Sequence, residues 1–186
     1  MKNINYILLI LFIFLTACKE KKGSSKEPAI SAISIIKGQL NQLDTSFFQI
    51  EKFETIDGKT DTTYLKREEV KYLAKDFLSL PDISQNNYTE NYTEERLIDE
   101  TQNTLSITAT ANNEKQEIQK QIIIVPLDKF AKGNVQSIYI DRFVQTNDSL
   151  LQQKLFWEID KYFRIGSIIQ KGTKPEKIQV LKVTWE

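Results

Sequence analysis

Apolar positions along the chain change their spacing several times, and each change predicts a different element. From Ala29 to Leu43 they recur every three or four residues, the period of an amphipathic helix, and Pro28 is well placed to start it. The same spacing from Lys66 to Leu80 predicts a second helix, which Pro81 ends. The first part of the chain is therefore predicted to be mainly helical.

The rest of the chain is typical of strands joined by short turns. Thr104 to Ala111 is the clearest case, because apolar and hydroxyl-bearing side chains alternate strictly, as in a strand with one buried face. Asp57-Gly58 is a hairpin turn signal between two earlier strands. A short helix over Leu150 to Trp157 is a competing interpretation of one segment. The predicted strand segments are Phe47 to Ile56, Thr62 to Leu65, the tandem repeat Asn87 to Glu94, Thr104 to Ala111, Gln116 to Val125, Val135 to Val144, Leu150 to Ile169 and Ile178 to Trp185.

Helices followed by strands with short connections predict an α+β fold. We expect N-terminal helices packed on one face of a mainly antiparallel β-meander of about five to seven strands. Parallel pairing would need crossover connections of about a dozen residues, and the turns are too short for them. Residues 29–186 are predicted to form a single domain.

The N-terminus has the layout of a secretory signal. Ile7 to Leu15 is an unbroken apolar run that follows Lys2 and precedes the small residue Ala17. A membrane-spanning helix needs about 20 mostly apolar residues, and the charged residues that begin at Lys19 end this run too soon. The pattern therefore predicts an exported protein with a cleaved signal at residues 1–17.

Leu15-Thr16-Ala17-Cys18 resembles the lipobox of bacterial lipoproteins. The resemblance implies that the Cys18 thiol carries diacylglycerol, that residues 1–17 are removed and that the new amino group is acylated with a chain such as palmitate. Two or three acyl chains would give durable membrane attachment, at about 0.8 kcal/mol per buried methylene. Lys19, where inner-membrane lipoproteins carry Asp, implies the outer membrane, with the domain on its periplasmic or its surface side. The alternative is an ordinary secretory signal with an accidental cysteine.

Residues 18–28 are predicted to be the lipidated cysteine and a flexible tether. The sequence KEKKGSSKEP that follows Cys18 is polar and charged and offers nothing to bury. Fully extended, it could hold the domain roughly 35 Å from the bilayer surface.

Composition argues against most kinds of chemistry. Lys and Arg together number 25, as do Asp and Glu, so no electrostatic case for nucleic acid exists. The sequence contains no His and only one Cys, which removes the usual proton-transfer group and the usual zinc ligands. We therefore predict no enzymatic activity, no cofactor and no metal. Glu158 and Asp160, on one strand face beside Tyr162, are the one alternative, a hydrolase that uses carboxylates alone.

Aromatic residues concentrate late in the chain. They suggest either a pocket for an apolar or sugar ligand or simply the protein core, and core is the commoner outcome. The residues with this predicted ligand-facing role are Trp157, Tyr162, Phe163 and Trp185.

These observations favour a lipid-anchored cell-envelope protein with a non-enzymatic binding or accessory role, attached to the membrane through Cys18 and acting on an envelope protein or a small ligand. The alternative is a carrier or receptor for a small apolar or glycan ligand bound between sheet and helices. A cavity of a few hundred Å³ between those layers would favour the alternative.

Overall fold

A computed structural model of the chain describes residues 30–185. Cys18, the predicted signal and the whole of the predicted tether lie outside the described residues. The described part is built on one antiparallel sheet of nine strands. The strands are β1 (Ile50–Ile56), β2 (Lys59–Tyr64), β3 (Tyr92–Asp99), β4 (Thr104–Ala111), β5 (Ile118–Pro126), β6 (Ser137–Gln145), β7 (Ser149–Glu158), β8 (Tyr162–Lys171) and β9 (Lys177–Trp185).

Within residues 30–185 the helices are few and mostly short. α1 (Ala32–Asp44) begins after Ser31, whose hydroxyl accepts a hydrogen bond from the Ser34 backbone N–H at 3.0 Å. The remaining helices are α2 (Arg67–Leu73), α3 (Lys75–Leu78), α4 (Asn86–Thr89) and a 3₁₀ helix (Leu127–Lys132).

Strand order follows the chain over most of the sheet. The order is β2-β1-β9-β8-β7-β6-β5-β4-β3, so strands β3 to β9 form a continuous meander. The early β1–β2 hairpin then pairs with the last strand, with Ile50 opposite Trp185. Asp57 and Gly58 both have positive φ, as the two-residue turn of this hairpin requires. All the pairings in the sheet are antiparallel, as predicted.

One face of the sheet, called here the helix face, shares a single core with the helices. Ile36 of α1 and Phe77 of α3 are fully buried in this core. The sheet side chains that complete it come from alternate positions, which is what the pleat of a strand dictates. They include Ile107, Ile123, Ile138, Ile140, Leu155, Trp157, Phe163, Ile165, Val183 and Trp185.

The α+β class is confirmed, but the predicted strand count was too low. The structure has nine strands because the predicted segment Leu150 to Ile169 is a hairpin and the early β1–β2 hairpin joins the same sheet. The turn between β7 and β8 contains neither Gly nor Pro. Asp160 supplies the left-handed residue there, with φ of 63°, which Asp tolerates better than most side chains.

The helices also differ from the prediction. The predicted helix Lys66 to Leu80 is broken at Ala74 into α2 and α3. The first copy of the tandem repeat lies in α4, and only the second lies in a strand. The two copies have the same sequence, so no local pattern could predict that one is helical and the other a strand. The difference must come from their surroundings in the fold.

Candidate functional site

The short helices leave part of the helix face uncovered. β7 and β8 are 10 residues each, about 33 Å long, whereas α2 and α3 are 7 and 4 residues. Beside α2 and α3 the strands line a cleft, called here the lateral cleft, with a volume of about 360 Å³. Its walls are Glu54, Tyr72, Leu73, Lys75, Asp76, Leu151, Gln153, Ile165, Ser167, Ile169, Gln179 and Leu181.

A buried amide organises the floor of the lateral cleft. Gln153 is 4% exposed. Its amide N–H groups donate to the Asp76 carboxylate at 2.8 Å and to the Ser167 hydroxyl at 3.1 Å. Its carbonyl accepts from Arg142 Nη1 at 2.9 Å. Gln153 therefore uses both donor hydrogens and its carbonyl, which holds its orientation and ties α3 to the sheet.

The network continues away from the cleft through Arg142. The Arg142 Nε–H donates to Glu117 Oε1 at 2.8 Å, and these two side chains form an ion pair. A chain of hydrogen bonds thus runs from Glu117 through Arg142 and Gln153 to Asp76. Arg142 forms its ion pair with Glu117, and the Asp76 carboxylate lines the lateral cleft together with Lys75.

A second carboxylate faces the cleft from β1. Glu54 accepts from Gln179 Nε2 at 2.9 Å and pairs with the Lys52 ammonium at 3.2 Å. These contacts, led by the hydrogen bond from Lys52, lower the pKa of the Glu54 carboxyl below its usual value despite some burial. The cleft therefore combines apolar walls with a few fixed polar groups, the usual character of a small-molecule site.

The sequences of β7 and β8 carry a sign of this cleft, namely polar residues at positions that face the helices. Read toward the cleft, the helix-face positions of β7 are Trp157, Leu155, Gln153 and Leu151. Gln153 interrupts this apolar series, and Ser167 interrupts that of β8 at the position paired with it. Two polar residues at inward and paired positions indicate that the sheet leaves its dry core at that point.

The late aromatic residues do not line the lateral cleft. Trp157, Phe163 and Trp185 lie in the core, where the Trp157 ring stacks on Phe163 at 5.0 Å between centroids. Tyr162 lies on the opposite face of the sheet, with Lys182 Nζ 4.7 Å from its ring centroid. Trp157, Phe163 and Trp185 are therefore core residues, which was the alternative to a ligand pocket. Strands β7, β8 and β9 bring them together on the helix face.

Glu158 and Asp160 do not share a strand face. Glu158 ends β7, whereas Asp160 lies in the turn, where its backbone N–H donates to the Gln39 side chain at 2.8 Å. The Glu158 carboxylate is 2.6 Å from Lys161 Nζ. This contact raises the pKa of Lys161. The prediction that these two carboxylates share a strand face assumed one uninterrupted strand. The hairpin turn between β7 and β8 ends that strand at Glu158, so the prediction is wrong.

Within residues 30–185, no three side chains of the His, Cys, Asp and Glu types come together as a metal site. None of the helices in this range is long and apolar enough to cross a membrane.

Comparisons with known proteins find no counterpart for this chain. No protein-family model, no curated protein and no solved structure matches it.

Proposed function

We propose that this chain is a lipid-anchored protein of the cell envelope that binds a small, mainly apolar or glycan ligand and catalyses no reaction. The proposed anchor is Cys18, in the lipobox-like Leu15-Thr16-Ala17-Cys18. Lys19 after the cysteine favours the outer membrane. In this proposal the domain is held at the membrane and captures or carries a ligand there.

The lateral cleft is the observation that carries the binding role. Its volume of about 360 Å³ lies within the range of small-ligand pockets, roughly 300–1,000 Å³. Its apolar walls, Leu151, Ile165, Ile169 and Leu181, suit an apolar ligand. The acceptors of Glu54 and Asp76 suit hydroxyl or amine groups at one end of that ligand.

Filling the lateral cleft should abolish ligand binding. We expect Leu151→Trp to weaken binding of the neutral apolar probe N-phenyl-1-naphthylamine at least about tenfold, because the indole would fill the lateral cleft over the helix face of β7 and β8. Fluorescence titration of the probe measures this. The matched control is Leu150→Trp, the neighbouring residue on the opposite face of the same strand, which should bind as the parent does. Equal affinity in the Leu151→Trp and parent proteins would contradict the proposal.

The natural ligand can be sought by purifying the intact protein from its own membranes and analysing the bound material by mass spectrometry. A lipid or glycan that is lost in the Leu151→Trp protein and kept in the Leu150→Trp protein supports the binding role. A partner protein that is retained equally by both variants would instead favour the accessory role.

The anchor has a separate test. Cys18→Ala should abolish metabolic labelling of the protein with a fatty-acid analogue, because the only thiol in the sequence is then removed. The protein should also shift from the membrane fraction to the soluble fraction. Labelled Cys18→Ala protein would overturn the assignment of Cys18 as the acylated residue.

A further inference from the structure

Exposed aromatic side chains form a patch next to a cationic depression, at the end of α1 away from Ile30. Phe47 is 98% exposed, Tyr64 69% and Phe48 45%. Phe48 and Tyr64 line a depression of about 400 Å³ together with Lys66 and Arg67, and Glu68 is the one acidic side chain in its lining. We call the five residues Phe47, Phe48, Tyr64, Lys66 and Arg67 the aromatic patch.

Arg67 has unmet hydrogen-bonding capacity. Its Nε–H is buried and has no acceptor. Its guanidinium lies 5.9 Å from the Phe47 ring centroid, a cation–π contact. A guanidinium has five N–H donors in a planar fork that fits the oxygens of a phosphate group. Lys66 and Arg67 both line the depression, which is therefore suited to an anionic group.

Two exposed phenylalanine rings on one loop are costly for a protein surface that only contacts water. Moving a Phe side chain from water into an apolar environment is favourable. Aromatic side chains beside Lys or Arg are typical of protein segments at the membrane–water interface, where rings enter the headgroup layer and cations meet phosphates. The composition of the aromatic patch matches this chemistry.

The proposed anchor would bring the patch within reach of the bilayer. The chain from Cys18 to Ile30 can span up to about 40 Å when extended, and α1 has 13 residues, about 20 Å. The end of α1 that precedes Phe47 can therefore reach the membrane to which Cys18 would be attached, even though the tether enters at the other end.

We infer that the aromatic patch is a second membrane contact, in which Arg67 binds the phosphate of an anionic phospholipid headgroup and Phe47 and Phe48 insert among the lipids. The location of this contact rests on the proposed lipid anchor, but the chemistry of the patch does not. In this arrangement the domain lies against the bilayer, and lipids of that membrane have direct access to its surface.

Vesicle flotation tests the inference. The probe is vesicles of phosphatidylglycerol and phosphatidylethanolamine, and the protein is the chain from residue 18 onward with Cys18→Ser, which retains all the described residues. We expect it to float with these vesicles, more weakly at high salt or with phosphatidylcholine vesicles. Phe47→Ser with Phe48→Ser should reduce the bound fraction at least about tenfold, and Arg67→Gln should reduce it severalfold.

The matched control is Leu97→Ser, on the opposite edge strand, where Leu97 is 70% exposed. It should bind vesicles as the parent does, and equal melting temperatures would show that all the variants are folded. Unchanged flotation of the Phe47 and Phe48 variant would overturn the inference. So would a parent that ignores vesicles but self-associates through these residues in sedimentation experiments. Because Cys18 is replaced throughout, failure here leaves the anchor intact, and failure of fatty-acid labelling leaves this result intact.

Discussion

Replacing Trp157 with alanine is expected to lower the free energy of unfolding by about 3–5 kcal/mol. Trp157 is fully buried and contacts three other rings. Phe77 meets it edge-on at 5.2 Å, Phe163 stacks on it and Trp185 lies 5.7 Å away. Phe77 comes from α3 and the other two from the sheet, so the substitution opens a cavity where the two layers join. Chemical denaturation of the two proteins measures the loss.

The neighbouring residue supplies the control. Phe156 lies on the opposite face of β7, where it is half-buried and contacts Tyr162 at 5.6 Å. Phe156→Ala should therefore cost much less, about 1 kcal/mol. Similar losses for the two substitutions would mean that the helix face does not carry the main core of this protein.

Replacing Gln153 with leucine is expected to destabilise the protein by about 2 kcal/mol. The leucine has a similar volume but cannot donate to Asp76 or accept from Arg142. Both charged groups then lose a partner in a largely buried place, which costs more than the loss of a solvent-exposed hydrogen bond. Equilibrium unfolding measures the change.

Gln152→Leu is the matched control, because this side chain lies one residue away on the other face of the sheet. It should change stability by less than about 0.5 kcal/mol. A double-mutant cycle of Gln153→Leu with Arg142→Met should give a coupling energy of about 1 kcal/mol, since the two residues share one hydrogen bond. Additive losses would contradict the hydrogen bond between Arg142 and Gln153.

The spacing of apolar residues correctly predicted those helices and strands whose conformation does not depend on contacts distant in sequence. Thr104 to Ala111 alternates strictly, and β4 has these bounds, with Leu105 and Ile107 buried. Ile36 and Leu40 on the apolar stripe of α1 are buried as the helical spacing requires. Local pattern sufficed here because a side chain's direction depends only on its position in the element.

The same patterns failed where contacts distant in sequence decide the outcome. The second predicted helix is interrupted at Ala74, and the short helix that follows places Phe77 edge-on against Trp157 and Phe163. No local feature distinguishes the two copies of the tandem repeat, although one is helical. The pairing of Ile50 with Trp185 joins the two ends of the domain, and nothing near either residue indicates it.

For the candidate site too, some features follow from local sequence and others depend on contacts between distant residues. The inward polar residues Gln153 and Ser167 were visible in the sequence, but their meeting with Asp76 and Glu54 depends on strand order and on the shortness of α3. The cleft arises where the helix layer ends before the sheet does. Where each layer ends relative to the other depends on how the two pack together.

By itself, the sequence determined the α+β class, the antiparallel pairing and the periodic faces of the clearest elements, because these depend on local side-chain spacing and short connections. It also supplied the lipobox-like motif at Cys18, on which the proposed anchor rests. Only the tertiary structure decided that the sheet has nine strands with β1 beside β9. It also placed the late aromatics mainly in the core and left the lateral cleft open, because these features depend on which distant side chains compete for the same buried space.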